Sequence, residues 1–137
     1  MPEDWLADSA PATATILVAD NDELTRDVLK RVLERAGHRV LDAHSGPEAL
    51  HIAQGHSGPI PLLVTEITMP VMDGLTLASR LRAERPETDV LFVTAFVPEE
   101  LLPRIVPGTQ LLRKPFLPRE FVGKVQELLA GRVAHLA

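Results

Sequence analysis

An α/β protein built on a doubly wound, five-stranded parallel sheet is predicted by three features of the sequence. Short apolar runs without polar alternation, Ile16-Leu17-Val18-Ala19, Leu62-Leu63-Val64-Thr65 and Val90-Leu91-Phe92-Val93, read as strands buried on both faces. Segments with helical spacing of apolar residues separate them. Polar, chemistry-bearing residues follow the runs, and in such a sheet the functional crevice opens at the carboxyl ends of the strands, near the point where strand order reverses.

Residues 1–14 mix Pro2, Pro11, acids and small residues without a period and are expected to form a mobile tail. Trp5-Leu6 is its one apolar feature, readable as a docking element or as part of a plain leader. The domain is expected to span 15–131, with 132–137 as a C-terminal tail. The first strand ends at Asp20-Asn21-Asp22. A helix follows with Leu24, Val28, Leu29, Val32, Leu33 and Ala36 at helical spacing, Asn21 or Asp22 as N-cap and Gly37 as terminator. Arg39 to Ala43 is the second strand. Ser45-Gly46-Pro47-Glu48 then supplies a cap, an early proline and a capping-box glutamate for a brief helix ending by Gly55.

The third strand, 62–65, ends at Glu66. Met69-Pro70 and Asp73-Gly74 mark a loop, and Leu75, Leu77, Ala78 and Leu81 mark a helix that stops near Arg85-Pro86. The fourth strand ends at Thr94. Between Pro98 and Pro107 stands also Pro103, so only one or two helical turns are expected there. Leu111-Leu112 forms a short fifth strand before Lys114-Pro115. The last helix starts at Pro118 with Phe121, Val125, Leu128 and Leu129 on its inner face.

Composition narrows the function. With 19 acidic against 14 basic residues the net charge is -5, which argues against a nucleic-acid binder, since that needs a concentrated basic face. The absence of cysteine excludes thiol catalysis and cysteine-ligated metals. No apolar run reaches the length of a membrane span and no signal peptide is evident, so a cytoplasmic protein without membrane insertion is expected. At the strand ends, the acids Asp20, Asp22 and Glu66, the amide of Asn21, the hydroxyl of Thr94 and the ammonium of Lys114 suit a divalent cation and a phosphoryl group. An acidic first turn repels bare phosphates, so no organic cofactor of the nucleotide or flavin kind is expected.

Four segments together resemble the receiver domain of two-component response regulators: Ile16-Leu17-Val18-Ala19-Asp20-Asn21-Asp22, Met69-Pro70-Val71-Met72-Asp73-Gly74, Thr94-Ala95 and Lys114-Pro115-Phe116. The resemblance covers about 15–129. It implies a (βα)5, CheY-like and flavodoxin-like three-layer sandwich with strand order 2-1-3-4-5. It also implies magnesium held by an acid pair at Asp20 and Asn21, by Glu66 and by the Thr68 carbonyl. Thr94 and Lys114 are implied to bind phosphoryl oxygens, with Leu111 at the aromatic switch position and Glu66 at the phosphoacceptor position. The implied partners are a histidine kinase, a phosphotransfer protein or a downstream effector, with a homodimer through the face of the fourth helix, fifth strand and fifth helix. The lysine-proline bond is implied to be cis.

The sequence departs from that pattern at three places. Glu66 stands where the family has aspartate, which pushes the carboxylate forward by one methylene; a misplacement of about 1 Å costs roughly a hundredfold in rate. Asn21 replaces an acid, so magnesium is expected to bind weakly. Leu111 cannot swing and exchange a polar edge as an aromatic residue does. The expected function is therefore a stand-alone, non-enzymatic pseudo-receiver acting by protein contact. The Glu66 side chain either imitates a phosphorylated state or leaves a vestigial pocket. A receiver still phosphorylated with magnesium is the alternative.

Asp20-Asn21-Asp22 with Thr25 also bears a loose likeness to the DxDxT motif of haloacid-dehalogenase-type phosphatases. The threonine is one place late and no acid pair follows Lys114. A Lys114 ion pair with Asp20 or Glu66 has a purely structural reading as well. His38, His44, His51, His56 and His135 show no ligand spacing and are expected at exposed or loop positions. Leu117, where a polar cap is usual before Pro118, hints at a contact surface.

Overall fold

The computed structural model describes residues 13–136, with side chains as far as Gly131. Trp5-Leu6, and all of the expected tail before residue 13, lie outside the described residues. Five strands, β1 (Thr15–Ala19), β2 (Arg39–Ala43), β3 (Leu62–Thr65), β4 (Asp89–Thr94) and β5 (Leu111–Arg113), form one sheet in the order β2-β1-β3-β4-β5. Every pairing is parallel. Four helices, α1 (Glu23–Arg35), α2 (Gly46–Gly55), α3 (Gly74–Glu84) and α4 (Pro118–Leu136), and a 3-10 helix at Glu99–Arg104 make the crossovers and the end of the chain.

Alternation along the strands divides the core. Ile16, Val18 and Val64 pack with Leu29 and Leu33 of α1 and Phe121 and Val125 of α4. Leu17, Ala19 and Leu63 pack with Ala49 of α2 and Leu77 and Leu81 of α3. Both faces of the central strands are thus covered, which is why they carry no polar alternation. Each fully buried leucine contributes about 1.5–3 kcal/mol.

Local signals set the helix ends. Asp22 caps α1 by accepting from Thr25 N–H at 2.9 Å, and Gly37, at φ +98°, takes the left-handed position after it. Ser45 accepts from Glu48 N–H at 3.1 Å, while the Glu48 carboxylate reaches back one residue further than in a capping box, to His44 N–H at 2.7 Å. Helix α4 continues to Leu136, past the boundary expected at 131; nothing in 132–136 is a helix breaker.

Leu24 and Val28 share the helical spacing of the core residues but are 76% and 52% exposed. One helix turn apart, they form a second apolar stripe turned away from the sheet, whereas Leu29 and Leu33 fill it. His38 stands at a loop position, between α1 and β2, but is buried there: it is 6% exposed, and its Nδ1 accepts from Ala14 N–H at 3.2 Å where β1 and β2 begin. Its Nε2 is buried without a hydrogen-bond partner.

Burial holds the His38 imidazole below its ordinary pKa of 6.5. A base so depressed contributes stability that is full above 6.5 and is lost as pH falls through the lower, folded value. The denaturant midpoint is therefore expected to fall between pH 7.5 and pH 5.5, and His38→Gln is expected to remove most of that slope. A slope unchanged in the variant would assign it to other groups.

Candidate functional site

The ladder that ends β1 and β3 sets the site's two acids side by side. Ala19 is in register with Thr65, and one step on, Glu66 N–H donates to Ala19 O at 3.0 Å while Asp20 N–H donates to Ala43 O at 3.2 Å. Asp20 and Glu66 are 1% and 9% exposed. Across the sheet, Lys114 N–H donates to Thr94 O at 2.9 Å, which carries the fifth strand's end to the same crevice. The Lys114-Pro115 bond is cis.

Lys114 bridges both acids. Its Nζ lies 2.8 Å from Glu66 Oε1 and 3.2 Å from Asp20 Oδ2. The other oxygens are held by backbone: Asp20 Oδ1 accepts from Asp22 N–H at 2.8 Å, and Glu66 Oε2 accepts from Ile67 N–H at 2.7 Å and Thr68 N–H at 3.2 Å. The extra methylene of Glu66 therefore does not simply push the carboxylate outward. One oxygen folds back onto its own loop and the other meets the lysine.

Charge follows from these contacts. Burial pushes the Glu66 carboxyl up, but the Lys114 ammonium, the Thr94 hydroxyl and the Thr68 N–H outweigh it and hold it below 4.5. Burial dominates at Asp20, with the Glu66 charge adding to it; the Asp22 N–H and Lys114 only partly compensate, so Asp20 is raised above 3.8. Burial pulls Lys114 down, yet its two carboxylate partners leave it above 10.5.

Thr94, 2% exposed, sits at the same strand end. Its hydroxyl donates to Phe96 O at 3.0 Å. That single proton can serve Phe96 or Glu66, not both. Asn21 is exposed beside the cluster, and Thr68, also exposed, meets it through its N–H. Leu111 is half-buried and packs against the core on the α2 and α3 side.

Sequence reasoning missed the support behind Asp20. Arg26 Nη1 donates to the Asp20 carbonyl at 2.8 Å while its Nε lies 3.5 Å from Asp42 Oδ2, and Lys30 Nζ reaches the other oxygen of Asp42 at 3.5 Å. The four-residue spacing of Arg26 and Lys30 announces a shared face, but nothing in the sequence names Asp42 on the neighbouring strand.

A divalent cation would have to compete with these contacts. Every oxygen of Asp20 and Glu66 accepts a hydrogen bond from the protein, and two of the four face Lys114. Among the described residues no three acids or histidines gather as a metal-binding group. As arranged, these side chains suit a resident ammonium rather than a resident magnesium ion.

The loop between Glu66 and α3 is strained at Val71, whose φ of +73° is left-handed although the side chain is β-branched and 95% exposed. Met72 N–H donates to Pro70 O at 2.8 Å, closing a γ-turn around it. The left-handed region costs a non-glycine residue about 1–2 kcal/mol. Val71→Gly relieves that strain but adds chain entropy, so a net stabilisation of about 0.5–1 kcal/mol is expected in urea unfolding. No gain would mean that the loop relaxes the strain elsewhere. Leu24, Val71, Phe96 and Leu117, each on a segment that follows a strand's carboxyl end, are all more than half exposed.

Comparison with known proteins agrees with this architecture. A family model described as response regulator receiver domain matches residues 16–126. The response regulator receiver protein CpdR of Brucella abortus is 34% identical over 119 residues, covering 83% of this chain and 95% of CpdR. The sensor kinase CckA of the same organism is 32% identical over 120 residues, covering 85% of this chain, but the chain spans only 13% of that kinase. Among solved structures, the chemotaxis response regulator CheY4 of Vibrio cholerae superposes with a TM-score of 0.73 at 29% identity, covering 85% of this chain and 99% of CheY4. A CheY-like receiver from Methanospirillum hungatei gives 0.79 at 25%, covering 90% and 99%. With the fold, the crevice and the matched residues in agreement, the chain belongs to the response regulator receiver domain family.

Proposed function

We propose that this receiver is a pseudo-receiver, in which Glu66 occupies the phosphoacceptor position and signalling runs through protein contact rather than phosphorylation. The observation that carries the reading is the engagement of both Glu66 oxygens, Oε1 by Lys114 at 2.8 Å and Oε2 by two loop N–H groups. A carboxylate that attacks phosphorus needs an oxygen free and aimed along the reaction axis. The Lys114 contact also supports partial imitation of a phosphorylated state over a vestige. The imitation is incomplete, because one carboxylate charge replaces nearly two.

Magnesium at Asp20, Asn21, Glu66 and the Thr68 carbonyl would have to displace Lys114, so weak binding is expected. The exposed apolar side chains around the crevice support a protein partner: a histidine kinase, a phosphotransfer protein or a downstream effector, met in the cytoplasm. Among the described residues no helix is long and apolar enough to cross a membrane. On the face proposed for a homodimer, Leu102, Val106 and Leu117 are exposed, whereas Leu101, Ile105 and Leu111 pack inward.

Incubation with acetyl phosphate and magnesium is expected to leave the intact mass unchanged, and a stoichiometric phosphoryl gain located at Glu66 would overturn the reading. Glu66→Asp under the same conditions asks whether restoring the shorter acid restores phosphorylation. If Glu66 imitates phosphorylation, Glu66→Gln weakens partner binding with the fold intact; equal affinity assigns the domain a scaffold role.

A further inference from the structure

The crossover between β4 and β5 is the one in which proline prevents a full helix. Pro98, Pro103 and Pro107 leave only the 3-10 helix Glu99–Arg104, whose Leu101, together with Ile105, packs on the core without lining the groove beside it. Next to Arg104 and the segment 106–110 that follows it lies an open groove of about 1000 Å³. Leu75 and Ala78 of α3, Val90 and Phe92 of β4 and Leu128 of α4 supply its apolar lining, with Val106, 60% exposed, on its wall. Arg82, Arg104 and Glu87 give the rim both signs of charge, so charge does not select the occupant.

Reach and shape do. The groove sits at the amino-terminal end of the sheet, since Asp89, which lines it, is in register with Leu62 and through it with Ile16. The chain enters β1 at Thr15, one residue from that row and two strands away, a distance of about 10 Å. Trp5 stands eight residues before Thr13, and eight residues span up to about 26 Å when extended. Trp5-Leu6 is the only large apolar pair between Pro2 and Ala14, and Trp5 is the only tryptophan of the chain. We propose that residues 1–12 fold back across the lower edge of the sheet and seat Trp5-Leu6 in this groove, replacing the cover that the proline-broken crossover does not provide.

A single tryptophan makes the test direct. In the full chain, Trp5 emission is expected to be blue-shifted and several-fold less quenched by acrylamide than that of a free peptide of residues 1–12, at all protein concentrations. Val106→Arg, at an exposed wall position, is expected to return both readings toward the peptide's while the far-ultraviolet circular dichroism stays unchanged; Thr109→Lys on the same lining provides a second block. Solvent-like emission in the unsubstituted chain overturns the proposal. So does a buried emission that neither substitution moves, which places Trp5 elsewhere, or one that appears only as concentration rises, which makes the occupant a second copy.

Discussion

Lys114→Met is expected to lower stability by about 3 kcal/mol at neutral pH, read from denaturant unfolding. The substitution keeps the length of the side chain and removes its charge, leaving Asp20 and Glu66 buried and facing each other. Breaking a buried pair by deleting one partner costs about 3–5 kcal/mol. The Lys114 side chain is 21% exposed, so water can compensate in part and the lower end applies. A cost below about 1 kcal/mol, the level of an exposed pair, would mean that the bridge is a surface contact.

The pH dependence separates the three groups. Glu66, held below 4.5, contributes stability that is full above 4.5 and is lost as pH falls through its folded value. Asp20 acts oppositely: raised above 3.8, it favours the folded state at low pH, and that advantage is lost as pH rises through its folded value. Lys114, raised above 10.5, contributes fully below 10.5 and loses its contribution only as pH rises past its folded value. The gap between the unsubstituted chain and Lys114→Met is therefore widest near neutrality and narrows below pH 3.8, where protonated acids no longer need the ammonium. Adding Glu66→Gln to Lys114→Met removes one of the two unpaired charges and is expected to recover more than half of the loss.

How far these features were legible in the sequence depends on the range of the interaction. Caps, strand ends and the broken crossover follow from neighbours within a few residues, such as Asp22 with Thr25 or Ser45 with Glu48, and all were readable. The strand-end rule also placed Asp20, Glu66, Thr94 and Lys114 in one crevice. What escaped depends on register and loop curvature. The burial of His38 needs the start of β2 to lie against Ala14, and the support of Asp20 by Arg26 and Asp42 needs β1 and β2 in register. Leu24 and Val28 share the spacing of the core residues yet are exposed, because apolar spacing marks a stripe without saying how wide the sheet beneath it is.

Gly74→Ala is expected to destabilise the fold by at least about 3 kcal/mol, although the sequence announces Gly74 only as a turn residue. Its role is close approach. A Cβ at Gly74 would collide with the Glu66 carbonyl oxygen and stand 3.0 Å from Glu66 C and Ile67 Cα. All three are backbone atoms, so no flexible side chain can yield, and overpacking without an outlet reaches the upper part of the usual 1–3 kcal/mol range or exceeds it. The start of α3 would have to retreat, weakening the Gly74 N–H bond to Ile67 O at 2.7 Å and the Asp73 cap on Thr76 at 2.8 Å. Because the displaced backbone includes Glu66, the Lys114 contact should loosen as well. Gly46→Ala supplies the comparison: its Cβ would meet Met72 Sδ at 2.7 Å and Met72 Cβ and Cγ at 3.0 Å, side-chain atoms that can give way in part by a change of rotamer, whereas backbone cannot. Thermal unfolding of the two variants side by side is expected to show a large loss for Gly74→Ala and a small one for Gly46→Ala. Equal, small losses would show that the loop after Glu66 can move without cost, and that the tight backing of α3 does not fix the Glu66 carboxylate.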